Sequence, residues 1–213
     1  MDSYDILKRL IDVLGGVVGL VLFSPIMIFA AVFIKLASPN GPVFADIPAR
    51  VSKGGREFKM YKFRSMIPNA HQCLLDHPEW HTKYKENNYK LNPDEDPRYI
   101  AGAKLLRKYS IDELPQFLNV LFGDMSLVGP RAYYPFELRE QREKFPDSAE
   151  YIDTVLTIKP GITGVWQIGG RSKIGFFERI KMDAEYANRR SILYDLLVII
   201  KTPMAIIAAK GAS

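Results

Sequence analysis

The hydrophobic pattern of the chain begins with one long apolar segment near the N-terminus. Residues 13–34 carry no charged side chain, and about 20 apolar residues are enough to cross the hydrocarbon core of a bilayer as a helix. Lys8 and Arg9 precede the segment, and Lys35 follows it. Because basic residues beside a membrane segment favour the cytoplasmic side, the two basic flanks predict that both ends lie on that side.

Ser24 and Pro25 lie in the middle of this segment. Proline lacks an N–H donor and clashes with the preceding helical turn, so it bends or breaks a helix. A helix-break-helix hairpin that enters and leaves the same leaflet agrees with both the proline and the basic flanks. A single kinked span agrees about equally well, because proline is common in spanning helices.

The positions after this segment predict a separate domain. We expect residues 1–38 to form the membrane-embedded hairpin and residues 39–213 to form a domain at the cytoplasmic face. Residues 57–64 alternate basic with apolar or aromatic side chains, which is the period of a half-buried strand. Lys62 and Arg64 lie on the basic face of that predicted strand.

The rest of the pattern is mainly helical. Residues 68–97 are polar and divided by prolines, which predicts a polar insertion, and charged helices are predicted near 136–145 and 174–190. Residues 191–210 are largely apolar but are interrupted by charges and a proline, so they suit an interfacial helix lying on the membrane. The predicted fold is an α/β, mainly helical cytoplasmic domain with an N-terminal re-entrant hairpin and interfacial amphipathic helices.

Composition narrows the class of partner. The chain has 213 residues, a formal net charge of +5 and a pI near 9.2. This charge favours a partner rich in phosphate, such as nucleic acid, an anionic membrane surface or a nucleotide-linked substrate. Cys73 is the only cysteine, which excludes an internal disulfide.

The candidate chemistry lies at Asp112 and Glu113, between a basic run and an apolar run. The ordinary alternative is a capping box, because Ser110 and Glu113 have the required spacing. Pro115 predicts an irregular backbone here, since it removes a helical hydrogen bond. Side chains of neighbouring residues on a helix point about 100° apart. Asp112 and Glu113 therefore do not face each other across a sugar, as the two carboxylates of a glycosidase do.

Two adjacent carboxylates at the first turn of a helix suit another reaction. The helix dipole favours anions there, and both side chains can reach one Mg²⁺, which takes its remaining ligands from water and substrate phosphates. A carboxylate in that setting is a competent nucleophile towards phosphorus. The pattern therefore favours metal-assisted phosphoryl transfer.

A glycine-rich segment at residues 160–171 is expected to form a loop that lines the site. It carries Trp166, Gln167 and Arg171. A nucleotide base can stack on Trp166 in this setting, but an anchor in the core is an equally good interpretation of that residue. Asp183, on the next predicted helix, is available to support the site.

Four blocks of sequence carry a resemblance to a known family. They are residues 62–66, 106–116, 119–131 and 160–167. In order and content, they resemble the bacterial sugar transferase family, whose members are monotopic phosphoglycosyl transferases acting on polyprenol phosphate. The resemblance runs from about Lys8 to the C-terminus.

The resemblance implies a reaction. Members of this family transfer a sugar-1-phosphate from a UDP-sugar to undecaprenyl phosphate and release UMP, through a covalent aspartyl-phosphosugar intermediate. This is the first membrane step of bacterial glycoconjugate synthesis, such as exopolysaccharide synthesis. It takes place at the cytoplasmic face of the bacterial inner membrane, so the expected partners are the two substrates and the lipid bilayer, with no nucleic acid. The sugar, the pathway and the oligomeric state stay open.

The resemblance also implies roles for individual residues. Asp112 is the expected nucleophile, and Glu113 is expected to position Mg²⁺, with both carboxylates as metal ligands. Ser24 and Pro25 match the break of the family's re-entrant hairpin. The residues expected to bind the nucleotide and its phosphates are Lys62, Arg64, Arg107, Arg131, Trp166, Gln167 and Arg171.

The chain departs from the family pattern at two positions, Ala132 and Lys159, where the family usually has proline and often arginine. We expect a minimal catalytic form, since no further run of apolar helices precedes this core. Two alternatives stay open. One is a non-catalytic, membrane-attached scaffold that binds phosphates, and the other is an enzyme in which polyprenol phosphate attacks the donor directly.

Overall fold

A computed structural model describes residues 3–87, 91–92, 95–169 and 174–208. The domain is mainly helical, as predicted. The helices are α1 (Ser3–Ala37), α2 (Ala70–Leu75), α3 (Pro78–Glu86), α4 (Ala103–Lys108), α5 (Gln116–Phe122), α6 (Pro135–Lys144), α7 (Ala149–Val155), α8 (Val165–Gly169), α9 (Phe176–Arg189) and α10 (Ile192–Ala208). The strands are β1 (Arg50–Val51), β2 (Glu57–Phe58), β3 (Ser126–Val128) and β4 (Gly161–Thr163), and 3-10 turns cover Lys53–Gly55, Ile111–Glu113 and Pro146–Ser148.

Helix α1 continues through Ser24 and Pro25, so the predicted helix break is not confirmed. Among the described helices, α1 is the one long and apolar enough to cross a membrane. Pro25 has no N–H to donate to the carbonyl of Val21, four residues earlier. The Ser24 hydroxyl donates to that carbonyl instead, at 2.8 Å. The Ser-Pro pair thus replaces the hydrogen bond that the proline removes, and the helix continues.

Helix α1 packs on the rest of the domain along one face. The buried residues of α1 are Asp12, Gly16, Gly19, Ala30 and Ile34. Between them, Phe23 stacks on Phe117 and Met27 packs on the cluster of Ala30 and Ile34. This face meets two other helices at two adjoining docking places, and the opposite face of α1 is left uncovered.

The two docking places lie on different helices. A Cβ atom at Gly19 would come within 2.5 Å of the Phe117 ring of α5, so the missing side chain allows close approach of α1 and α5. Further along α1, Ala30 and Ile34 pack in one apolar cluster with Leu106 of α4. Helices α4 and α5 precede and follow the 3-10 turn at Ile111–Glu113, so α1 holds both sides of that turn.

Two charged residues of α1 strengthen the first docking place. The Arg9 guanidinium donates to two carbonyls in the last turn of α5, at 2.6 and 2.8 Å. Asp12 accepts hydrogen bonds from the Ser126 hydroxyl and the Leu127 N–H at the start of β3, both at 2.9 Å. The Arg9 bonds satisfy carbonyls at a helix end that have no partner within the helix, and the Asp12 bonds join α1 to the segment after α5.

The predicted eight-residue strand at 57–64 is wrong in length, since only Glu57–Phe58 form a strand, paired antiparallel with β1. Beyond Phe58, the main chain forms hydrogen bonds with α5 and with the Ile111–Glu113 turn instead of with a neighbouring strand. Asn119 of α5 accepts from the Tyr61 N–H and donates to the Lys59 carbonyl, both at 2.8 Å. The Phe63 N–H donates to the Asp112 carbonyl at 2.8 Å. Residues 59–63 are thus attached to α5 and to the candidate site.

The segment after residue 160 is not the loop that was predicted. Gly161–Thr163 form β4, parallel to β3, and α8 follows. The strands approach so closely that a Cβ atom at Gly161 would lie 2.1 Å from the main-chain nitrogen of Gly129, so glycine is required there. The carboxyl ends of parallel strands meet at one edge, and this places the residues after β3 beside the residues after β4.

The C-terminal helix α10 has one buried and one uncovered face. Val198 is fully buried, whereas Leu193, Ile200 and Ile207 are largely exposed. This agrees with the amphipathic helix predicted for residues 191–210, of which the structure describes residues up to 208. Most of the exposed large apolar side chains of the described residues lie on α1 and α10.

Candidate active site

The backbone at Asp112 and Glu113 forms a single 3-10 turn rather than the first turn of an α-helix. Ser110, directly before it, has φ of 55° in the left-handed region, and its side chain makes no capping hydrogen bond. An N-cap residue needs an extended backbone, so the predicted capping box is wrong. Pro115 is the N-cap residue of α5, where a missing N–H removes no helical hydrogen bond, and the irregular backbone predicted from this proline is confirmed.

Lys62 contacts both candidate carboxylates. Its ammonium lies 2.9 Å from Asp112 Oδ2 and 3.1 Å from Glu113 Oε1. The contact with Glu113 is a hydrogen bond, but the contact with Asp112 lacks that alignment, and Oδ2 has no hydrogen-bond partner. The Asp112 side chain is 2% exposed and that of Glu113 is 39% exposed, so the two acids have different surroundings.

The charges of these three residues depend on one another. Burial raises the pKa of Asp112, although the Lys62 ammonium opposes the shift. Burial alone would raise the pKa of Glu113 too, but Lys62, with Arg131 and Arg107 further away, lowers it overall. Burial would lower the pKa of Lys62, yet the two carboxylates raise it. Lys62 therefore stays charged and neutralises one of two adjacent acids.

Two of the predicted arginines lie around this group. Arg107, in the last turn of α4, places its guanidinium carbon 5.1 Å from the Tyr99 ring centre. Arg131 follows β3, and the carboxylate of Glu137 raises its pKa in spite of burial. Both guanidiniums act electrostatically on Glu113. A guanidinium fork suits a phosphate oxygen pair, so the structure brings cationic groups to the acids.

Arg64 has a different place from the one predicted. It is buried, and its three guanidinium nitrogens donate to the turn after α1, namely to the Pro42 carbonyl and to the hydroxyl and carbonyl of Ser38. Phe63 and Arg64 are both buried, so the predicted alternation of buried and exposed side chains does not extend to Arg64. The Arg64 side chain thus holds the exit of α1. Arg171, also predicted to bind the nucleotide, lies outside the described residues.

Trp166 lies between two guanidiniums. The guanidinium carbons of Arg131 and Arg179 are 5.4 and 5.2 Å from its ring centre. Its neighbours Val165 and Ile168 pack in an apolar cluster, whereas Trp166 is not part of that cluster. Gln167 donates to the carbonyl of Ile162, at 3.2 Å. The position of Trp166 thus favours a role in the site over that of a core anchor.

Arg179 of α9 was not predicted as a site residue, and Asp183 was predicted only as a supporting group. Asp183 Oδ2 accepts from the Arg131 N–H at 2.9 Å and from the Tyr133 hydroxyl at 3.0 Å. Burial raises the pKa of Asp183 to about 7. The buried face of α9 contains Phe176, Arg179, Ile180 and Asp183. Arg179 and Asp183 thus occupy positions of α9 where an amphipathic helix normally has apolar residues. This departure from the apolar pattern could have identified Arg179 from the sequence.

The two adjacent acids Asp112 and Glu113, which we call the dyad, fit a magnesium ion. Asp112 and Glu113 supply hard oxygen donors, and the Lys62 ammonium already lies about 3 Å from both. Within the described part of the chain, no third His, Cys, Asp or Glu completes a metal-binding group. Magnesium commonly takes one or two carboxylates and fills its shell with water and substrate phosphates, so two adjacent carboxylates match its needs.

Comparison with known proteins agrees with the resemblance seen in the sequence. The model of the bacterial sugar transferase family matches residues 3–209. The undecaprenyl-phosphate galactose phosphotransferase of Salmonella typhimurium is 35% identical over 97% of this chain and 41% of its own length. The exopolysaccharide production protein ExoY of Sinorhizobium fredii is 34% identical over 96% of this chain and 87% of its own length.

A third relative has a larger donor sugar in its name. The UDP-N-acetylgalactosamine-undecaprenyl-phosphate N-acetylgalactosaminephosphotransferase of Aeromonas hydrophila is 38% identical over 98% of this chain and 45% of its own length. This chain therefore spans less than half of the Salmonella and Aeromonas proteins and most of ExoY. The two phosphotransferases share one reaction class by name and differ in sugar.

The raised pKa of Asp183 predicts a pH-dependent stability. Between the unfolded pKa near 3.9 and the folded pKa of about 7, the folded chain holds a proton that the unfolded chain has lost, so stability falls as pH rises through this range. The amide of an Asp183→Asn variant imitates the protonated acid and does not titrate. Relative to wild type, we expect the free energy of unfolding of this variant to rise from pH 4.5 to 8, with a maximum difference on the order of 4 kcal/mol. The melting temperature of the variant should rise relative to wild type over the same range.

This comparison requires thermal unfolding of both proteins in detergent micelles at each pH. Exposed Asp147, changed to asparagine, provides the control, and its curve should run parallel to that of wild type. Parallel curves for Asp183→Asn as well would contradict the raised pKa.

Proposed function

Because the chain belongs to the bacterial sugar transferase family, we propose that it transfers a sugar-1-phosphate from a UDP-sugar to undecaprenyl phosphate and releases UMP. The observation that carries the proposal is the buried Asp112 carboxylate beside Glu113, Lys62 and the two arginines. A carboxylate and several cations in one place suit attack on an anionic phosphorus, because the cations offset the charge of both reactants. The names of the relatives support both substrates.

The first step forms a covalent intermediate on Asp112. One carboxylate oxygen attacks the β-phosphorus of the UDP-sugar, and the bond from that phosphorus to the bridging oxygen breaks. The electron pair stays on the bridging oxygen, which leaves as part of UMP. The Lys62 ammonium opposes the rise that burial causes in the pKa of Asp112 and so favours the ionised nucleophile, and Arg107 and Arg131 offset the phosphate charge.

The second step returns the enzyme to its starting state. A phosphate oxygen of undecaprenyl phosphate attacks the same phosphorus, and the bond to Asp112 breaks. The carboxylate recovers its electron pair, and the product is a polyprenyl diphosphate sugar. Glu113 stays ionised at neutral pH because its pKa is lowered, so it is better suited to positioning groups than to removing a proton.

Magnesium is the proposed cofactor, held by Asp112 and Glu113. When bound, it would neutralise charge on the donor's diphosphate and favour departure of UMP. The more exposed carboxylate of Glu113 is the accessible member of the pair. The Lys62 ammonium contacts both carboxylates, so magnesium would share them with this cation.

The proposed location is the cytoplasmic face of the bacterial inner membrane, with α1 as a re-entrant anchor. The contacts of α1 with the domain extend along the helix from Asp12 to Ile34. A true span would separate its ends by about 30 Å of hydrocarbon, and only one of them could then meet the domain. The arrangement supports a helix whose two ends share one side of the membrane, as the basic flanks do.

A direct attack by undecaprenyl phosphate on the donor is the alternative reaction, and a phosphate-binding scaffold is the alternative without chemistry. The burial of Asp112 favours a nucleophile over both. A scaffold has no need for an acid that is 2% exposed among cations, and a direct attack requires no carboxylate next to the phosphorus. The capping role that the scaffold gives to Ser110 is not observed.

Replacing the nucleophile tests the covalent mechanism. Asp112→Asn keeps the shape of the side chain but removes its nucleophilic charge, so we expect UMP release to fall by about 10³-fold or more. Intact mass spectrometry of wild type with UDP-sugar alone should show a gain equal to one sugar phosphate, and the variant should show none. Asp147→Asn, at an exposed position, should behave as wild type. Full turnover without any mass gain would instead support direct attack.

Removal of divalent cations tests the cofactor. Chelation with EDTA should abolish UMP release, because two carboxylates and the donor diphosphate then repel each other without a shared cation. Addition of excess Mg²⁺ should restore the rate, and the protein should stay attached to the membrane throughout. Unchanged turnover in EDTA would show that the cationic side chains suffice.

Cysteine labelling tests the topology of α1. In a Cys73→Ser background, the substitutions Asp2→Cys and Lys53→Cys place one thiol before and one after the apolar helix. An impermeant maleimide added to sealed, inverted membrane vesicles should label both positions to the same extent. Detergent-treated vesicles give the total amount of reactive thiol. Labelling of one position and protection of the other would establish a span.

A further inference from the structure

Within the described part of the chain, a group of buried polar atoms without hydrogen-bond partners lies where α8 meets α9. It consists of Arg131 Nε, Trp166 Nε1, Arg179 Nε and Asp183 Oδ1. Arg179 and Asp183 are only 8% and 0% exposed. Buried polar atoms are nearly always paired in folded proteins, and leaving one unpaired is costly. Four such atoms on neighbouring side chains therefore point to a ligand that pairs with them.

The charge of the group favours an anion. Both guanidiniums approach the Trp166 indole, at 5.4 and 5.2 Å. Burial lowers the pKa of Arg179, and the nearby Arg131 guanidinium lowers it further. Two carboxylates lie near these cations, namely Asp183, through the Arg131 N–H, and Glu137. The buried Arg50 also interacts with Arg131 and Glu137. Three arginines near two acids leave a net positive charge for a ligand to neutralise.

The position of the group matches one half of the proposed donor. Arg131 joins the two places, since it acts electrostatically on Glu113 and also contacts Trp166. A nucleoside diphosphate sugar with its β-phosphorus at Asp112 places its second phosphate, its ribose and its base further from the dyad. The unpaired donors on the arginines and the indole suit phosphate and carbonyl oxygens, and Asp183 Oδ1 suits an N–H or a hydroxyl.

We propose that Arg179 binds the nucleoside monophosphate half of the donor, together with Trp166, and that Asp183 accepts a hydrogen bond from the same ligand. The inference rests on the proposed function, since it assumes a nucleoside diphosphate sugar as donor. In the first step the bridging oxygen gains negative charge as its bond to the β-phosphorus breaks. Arg131 and Arg179 offset that charge on the leaving nucleotide. Arg179 is thereby a binding residue for both donor and UMP.

An Arg179→Gln variant tests this role. We expect the KM for UDP-sugar to rise about tenfold or more, and inhibition by added UMP to weaken by a similar factor, since a bidentate charge pair with phosphate is lost. The KM for undecaprenyl phosphate should stay unchanged, which a general loss of structure would not allow. Arg189→Gln, at an exposed position of the same helix, is the matched control. Arg179→Lys should recover only part of the loss, because lysine keeps the charge without the planar fork.

A second measurement does not depend on that variant folding. In a Trp80→Phe background, Trp166 is the remaining tryptophan, and UMP should change its fluorescence in a saturable manner. Uridine and ribose 5-phosphate, titrated in parallel, separate the contribution of the base from that of the phosphate. A well-folded Arg179→Gln with unchanged KM and UMP inhibition would overturn the inference, as would a Trp166 signal indifferent to UMP in an active enzyme.

These outcomes are distinct from failure of the proposed function. If the wild-type protein released no UMP from any UDP-sugar, the proposed function would be wrong, whatever the result of the Trp166 fluorescence titration. A wild type that turns over and forms the adduct, but shows no effect of Arg179 or UMP, would keep the reaction and remove only this binding site.

Discussion

The constraint on which the structure depends is the burial of one carboxylate directly beside another. Asp112 is almost fully enclosed, and Glu113 follows it in the chain. A buried charge without a partner costs several kcal/mol, and a second acid next to it adds repulsion. The Lys62 ammonium, within about 3 Å of both, makes the arrangement possible. The position of Lys62 must therefore be fixed as firmly as that of the acids.

Several irregular features of the fold follow from this need. A hydrogen bond from the Phe63 N–H to the Asp112 carbonyl sets Lys62 against the dyad. Asn119 forms hydrogen bonds with the main chain of Lys59 and Tyr61. These residues are therefore attached to α5 although β2 ends before them. The 3-10 turn directs both carboxylates towards one cation. Regular secondary structure is given up here because the charges have to meet, as is common at functional sites.

How much of this was predictable depends on whether a residue acts through local or distant contacts. The dyad, Lys62, Arg107 and Arg131 lie in short blocks with a recognisable pattern, and the structure brings them together. In the sequence, Arg64 belongs to the same alternating pattern as Lys62. In the structure, however, Arg64 donates to carbonyls of the turn after α1, and a local sequence pattern cannot predict such distant contacts. Ser110 had the spacing of a cap, yet its left-handed backbone arises from the turn as a whole. Arg179 was visible only as a charge on an apolar face.

Helix α1 and the dyad are parts of one structural unit. The first half of α1 holds α5 through Arg9 and the close approach at Gly19, and the second half packs on α4. These two helices enclose the turn that carries Asp112. One attachment would leave the domain free to rotate about it, whereas two attachments on either side of the Ser-Pro pair fix its orientation. The opposite face of α1 is apolar and exposed, as at Val21, Leu22 and Phe29. Because α1 contacts both helices beside the Ile111–Glu113 turn, it fixes the position of Asp112 relative to this apolar face.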